Sequence, residues 1–155
     1  MTRNTNRSKS NMELQLFIQP DSLELIFKNN GHNTIKIWEF HNSWGWHTIF
    51  LQLKKMNSNE EFTLTKLKQI GWTKNFPSFI EIHSRESHKL NIFPREKGWE
   101  SEKDLSVLKK QSLMVKAVLE IPETPEAKEF GIFVGKVESE WLLSEPPHLW
   151  LFKEN

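Results

Sequence analysis

"MELQLFIQPDSLELIFKNN", residues 12–30, sets two runs of alternating apolar and polar residues on either side of a Pro-Asp break. Met12, Leu14, Leu16 and Ile18 fall on one side of an extended chain, and Leu23, Leu25 and Phe27 do the same in the second run. A period of two is the mark of a half-buried strand, because successive side chains leave opposite faces of the pleat. Pro20 and Asp21 stop the first strand in a turn. "NNGHN" at 29–33 supplies residues that tolerate positive φ, which suits a tight turn after the second.

The same period recurs downstream. "TIKIWEF" (34–40), "WHTIFLQL" (46–53) and the shorter "EFTLTKL" (61–67) read as strands. "SLMVKAVLEI" (112–121) holds Leu113, Val115, Ala117, Leu119 and Ile121 in strict alternation, and "GIFVGKVESEWLL" (131–143) reads as one long final strand. "FIEIHSRESHKLNIF" (79–93) reads as a hairpin that sets Ile82 opposite Leu90 and Ile80 opposite Ile92. The stretch "KQIGWTKNFPS" (68–78) is irregular, and the tail "EPPHLWLF" (145–152) ends in apolar residues that should dock on the body. Only "IPETPEAKEFG" (121–131) looks helical: Thr124 can cap, Pro125 suits the first helical position, Glu126 follows in the first turn and Gly131 suits the exit.

Eight or nine short strands, with no alternation of strands and long helices, predict an all-β antiparallel sandwich, an up-and-down barrel being the alternative. A chain of 155 residues suits one such domain, expected over 12–155 behind a polar, disordered tail at 1–11. The phrases "LELIFKNNGHNTIKIWEF", "SRESHKLNI", "VKAVLEI" and "GKVESEW" occur in an order that resembles the immunoglobulin-like sandwich of small bacterial intracellular domains, including the intracellular proteinase-inhibitor type. The resemblance spans about residues 12–143 and implies an inhibitor function through the fold alone, and fold does not fix function. It has no inhibitory loop matched residue by residue, and the cysteine pair and tyrosine corner of antibody-type domains are missing from a chain with neither cysteine nor tyrosine.

Composition narrows the function classes. Lys and Arg number 21 against 20 acids, and Arg3, Arg7 and Lys9 belong to the basic N-terminus, so no concentrated basic face for nucleic acid is left. Lack of cysteine removes thiol catalysis and Cys-ligated zinc. No apolar run follows the polar N-terminus, so the expectation is a soluble cytoplasmic protein without a membrane segment. The six glycines are scattered and form no phosphate loop, no cofactor is implied, and no serine sits in a nucleophile-elbow context. Glu138 and Glu140 share a strand face with Lys136, which suits a solvated face or a blunted sheet edge.

Three places could bind something. In "HNSWGWHTIF" (41–50), a strand over 46–53 would put His47, Ile49, Leu51 and Leu53 inward and Trp46 and Phe50 outward, with Trp44 beside them as a stacking surface. The alternative is that these rings are wall, with Trp44 packed under the irregular loop at 68–78. The second place is Trp72 in "GWTKNF" (71–76), and the third is the loop shaped by Thr124, Pro125 and Glu126. The histidines invite a metal reading, but the hairpin register at 79–93 would point His83 and His88 to opposite faces, so no metal site is expected. The expectation is a non-catalytic binding or protein-interaction module, its partner a protein or, by the alternative reading, a glycan stacked on exposed tryptophans. A hydrolase with a non-obvious site is the third possibility.

Overall fold

The alternating row Leu113, Val115, Ala117, Leu119 and Ile121 forms the axis of the molecule, each residue at most 1% exposed in the computed structural model, which describes residues 11–69 and 71–153. In chain order the described strands are β1 (Met12–Ile18), β2 (Leu23–Asn29), β3 (Ile35–Trp38), β4 (Ile49–Lys55), β5 (Glu61–Lys66), β6 (Phe79–Ile82), β7 (Ser87–Ile92), β8 (Trp99–Glu100), β9 (Leu113–Ile121), β10 (Gly135–Glu138) and β11 (Leu142–Ser144). A 3-10 turn at Leu105–Leu108 and helix α1 (Pro125–Phe130) complete the set. Of the tail expected at 1–11, only Asn11 lies within the described residues.

Two antiparallel sheets make the sandwich. One has the order β1-β2-β7, and the other runs β10-β9-β4-β5-β8, with β11 also on β9. This is the immunoglobulin-like arrangement, strands A-B-E facing G-F-C-C′, without a strand D beyond E. Strand β9 is central because it pairs with β4 on one edge and with β10 and β11 on the other. The inward rows Leu14/Leu16, Leu23/Leu25/Phe27, Ile49/Leu51/Leu53 and Phe62/Leu64 close on it in one core. Each fully buried Leu, Ile or Phe contributes about 1.5–3 kcal/mol from burial, so these rows hold the sheets face to face. Among the described residues no helix is long and apolar enough to cross a membrane.

Four local expectations change in the structure. Residues 79–93 do not form a hairpin: β6 pairs with β3 (Ile82 opposite Ile35) while β7 pairs with β2 (Leu90 opposite Leu25). Likewise β2 and β3 do not pair across "NNGHN"; the two-stranded ribbon bends there as a unit. The bend is held by buried Asn29, whose Nδ2 donates to the carbonyls of Asn33 (2.7 Å) and Ile82 (2.8 Å) while its Oδ1 accepts from Gly31 N–H (2.9 Å). Alternation shows that a segment is a strand but carries no record of which strand it pairs with. The strand expected from Trp46 begins at Ile49, with 40–48 forming turns, and Thr48 is buried with its hydroxyl donating to Gly45 O. Finally, the long last strand is interrupted at 139–141, where Ser139 Oγ accepts from Ala117 N–H in place of a main-chain partner. That substitution of a side chain for the ladder makes a bulge between β10 and β11.

Candidate functional site

Residues 40–48 fold back on themselves because Gly45 has no side chain. A Cβ there would stand 2.0 Å from the Glu39 carbonyl oxygen, closer than any real contact. The tight loop splits its two tryptophans. Trp44 is half-buried against the core and lies 5.8 Å from Trp38, while Trp46 turns toward the 67–78 loop and meets Trp72 edge to face, 5.5 Å apart at 83°. Trp46, not Trp44, is therefore the ring that packs against the irregular segment. Its indole N–H donates to Leu67 O (2.7 Å), and Asn75 fastens the two loops through Ser43 N–H (2.9 Å) and Ser43 Oγ (2.7 Å). Perpendicular, half-buried rings do not make the coplanar platform that the glycan reading requires.

What Trp46 does instead is support Lys66. On β5 the inward row runs Phe62, Leu64, Lys66, so the alternation that builds the core carries a cation to its margin. Lys66 Nζ lies 4.4 Å from the centre of the Trp46 ring and donates to Phe40 O at 3.3 Å. His47 Nε2 is 2.9 Å from Lys66 O. Burial holds the Lys66 ammonium below the usual lysine range, and among the described residues no carboxylate pairs with it.

Lys66 opens into a cleft of about 300 Å³ between the free edges of the two sheets. Directly opposite residues of an antiparallel pair share a face, so Trp99, the ladder partner of Lys66, turns inward with it. From the other sheet Leu90 and Ile92 of β7 add the apolar wall, with exposed Phe93 at the end of the strand, and Asn91, Glu96 and Lys97 make up the polar part of the lining. Their partners on β2, Leu25 and Leu23, are fully buried, whereas Leu90 is only half-buried. The sandwich is thus open along the side where a strand D would lie. His88, on the same row of β7, packs near Phe27 (6.4 Å), and burial lowers its pKa, with the Glu39 charge opposing.

The remaining expected residues lie elsewhere. Phe50 stands on the outer face of β4 beside Val118 and, with His47, Val134 and Lys136, lines a separate groove of about 350 Å³. Thr124 caps α1 by accepting from Ala127 N–H (3.0 Å), Pro125 and Glu126 fill its first turn, and Phe130 packs on Trp38 and Phe79. The loop is thereby tied to the body. Among the described residues no three His, Cys, Asp or Glu side chains converge as a metal site; His83 contacts Thr34 Oγ1 (3.2 Å) and His41 lies 3.3 Å from Glu39.

One further polar constellation lies under the docked C-terminal tail. Ser144 Oγ is 2.7 Å from His148 Nδ1 and accepts from the Trp150 indole N–H at 2.8 Å, while His148 Nε2 is 2.6 Å from Gln111 O. All three side chains are buried, and every one of their polar atoms has a protein partner. This is a clasp holding the tail onto β11 and the turn that precedes β9. No family model, curated protein or solved structure matches the chain.

Proposed function

We propose that this protein is a non-catalytic binding module and that its recognition site is the open seam between β7 and β5–β8. The reading is carried by one observation: a half-buried amine on the core-facing row of β5, lining a cleft with Leu90, Ile92, Phe93 and Trp99, and paired with no carboxylate among the described residues. Core cations cost stability unless paired, and a protein that leaves one unpaired beside a cleft has a use for it. An apolar wall with a half-buried amine at its margin suits orientation of a bound group, and neither a nucleophile with a base nor a metal cluster accompanies it among the described residues.

Panning a library of displayed random peptides against the wild type tests this reading. A consensus should be enriched, lost with Trp99→Ala and kept with Phe50→Ala, which alters only the outer face. Absence of any consensus, or one abolished by Phe50→Ala and indifferent to Trp99→Ala, would place recognition away from the seam.

A further inference from the structure

The seam also constrains what enters it. Of the three donors on the Lys66 ammonium, one meets a protein acceptor, the Phe40 carbonyl, and the Trp46 face covers another side. Glu96 lines the same cleft, but its carboxylate already faces Arg95 Nε (3.8 Å) and Lys153 Nζ (3.6 Å). Lys97 adds a second cation to the lining. The cleft therefore offers unmatched positive charge beside Leu90, Ile92 and Trp99. A cation partly removed from water attracts an anion more strongly than an exposed one does, because less solvent screens the pair.

We infer that the seam takes a carboxylate carried on an apolar body, with the carboxylate on Lys66 Nζ and the apolar part against Leu90, Ile92 and Trp99. This deepens the binding reading above and rests on it. Two sources share that chemistry. One is a free organic acid; the other is a glutamate or aspartate in an extended segment of a partner. The second has a main-chain counterpart: β7 pairs with β2 on one edge, and among the described residues its other edge carries no strand, so a segment laid there would form ladder bonds and direct alternate side chains into the seam.

Amide NMR titrations of the full chain with four probes test the inference: 4-phenylbutyrate, its amide 4-phenylbutyramide, a capped Leu-Glu-Leu peptide and the Leu-Gln-Leu counterpart. The acid of at least one pair should bind about tenfold tighter than its neutral analogue, shifting Leu90, Ile92 and the Trp99 indole resonance. Lys66→Met and Lys66→Gln, each first shown folded by its amide spectrum, should both erase the preference. Preference within the phenylbutyrate pair identifies a free acid as the ligand type, and preference confined to the peptide pair identifies a protein segment. Equal binding of acid and neutral partner at the seam, or a preference that survives Lys66→Met, overturns the carboxylate and leaves the seam standing. If no probe moves Leu90 or Trp99 and panning yields no Trp99-dependent consensus, both inferences fall.

Discussion

His148 in the apolar interior and Lys66, half-buried at its margin, are both ionisable side chains, and they are treated in opposite ways. Each nitrogen of His148 has a protein partner, and Ser144, which meets one of them, is engaged a second time by Trp150. Lys66 has one carbonyl, one ring and an open cleft. A buried polar group that serves the fold is satisfied within the fold, because leaving it unsatisfied costs about 1–3 kcal/mol. One left partly unsatisfied beside a cavity is free to meet a partner from outside the chain. We assign the clasp to stability and propose the seam for recognition, and substitutions should separate the two.

The largest effect is expected in the clasp. Trp150→Ala removes a fully buried ring together with the N–H bound to Ser144, and should cost about 3–5 kcal/mol in urea unfolding. His148→Ala strands the Gln111 carbonyl and the Ser144 hydroxyl and should cost about 2 kcal/mol. If either protein unfolds at the wild-type midpoint, the clasp is not structural. Gly45→Ala comes next: the added Cβ meets a backbone carbonyl that cannot swing aside, so the 40–48 loop must move, at about 2 kcal/mol. It should also displace the Trp46 indole resonance while leaving that of Trp150 in place, marking damage confined to the seam wall.

Lys66→Met sharpens the contrast because its sign is reversed. Burial depresses the amine's pKa in the folded state, so the folded protein binds fewer protons than the unfolded one between the two values, and stability rises with pH across that window. The cost of the charge is fully present below the folded pKa. Met should therefore raise the thermal midpoint slightly at pH 7, by the equivalent of no more than about 0.5 kcal/mol because solvent screens the partly exposed amine, and the gap to wild type should close as pH approaches about 10. A loss of stability comparable to His148→Ala would erase the distinction between the regions.

The smallest effect is a control on the outer face, where Glu138 accepts from Lys116 (2.7 Å) and pairs with Lys136 (3.3 Å). The Lys116 hydrogen bond holds its carboxyl below the usual range, burial opposes this, and Lys136 adds to the lowering. That contribution is present above the unfolded carboxyl pKa and is lost as pH falls through the folded one. The side chain is more than a third exposed and screened by solvent, so Glu138→Gln should cost no more than about 0.5 kcal/mol at pH 7, and less in high salt.

The rows that make the core were legible because a period of two is a property of each segment alone. Leu113 to Ile121, Leu23 to Phe27 and the caps of α1 at Thr124 and Gly131 could all be placed from neighbouring residues. The ribbon bend at Asn29 was not, because it depends on β3 and β7 finding partners distant in sequence and on the Asn29 amide bonding to Ile82 O, 53 residues away. Among the candidate residues, Trp46 and Trp72 do meet, and Trp46 also covers Lys66, which the sequence reading passed over. Its signal was present in "EFTLTK", where the alternation that buries Phe62 and Leu64 turns Lys66 inward as well. Trp99 gave no such sign, since β8 is two residues long and only its pairing with β5 aims the ring.

The most direct test is the titration of the Lys66 amine itself, followed in protein whose lysines carry ¹³C-dimethyl labels and assigned by its absence in Lys66→Arg. An amine half-buried without a carboxylate should titrate below the ordinary lysine value near 10.4, and should move back toward it when an acid that binds the seam is added. A Lys66 resonance that titrates at the ordinary value and ignores every acid would mean the amine is solvated or already paired, and the seam would be no more than a gap between two sheets.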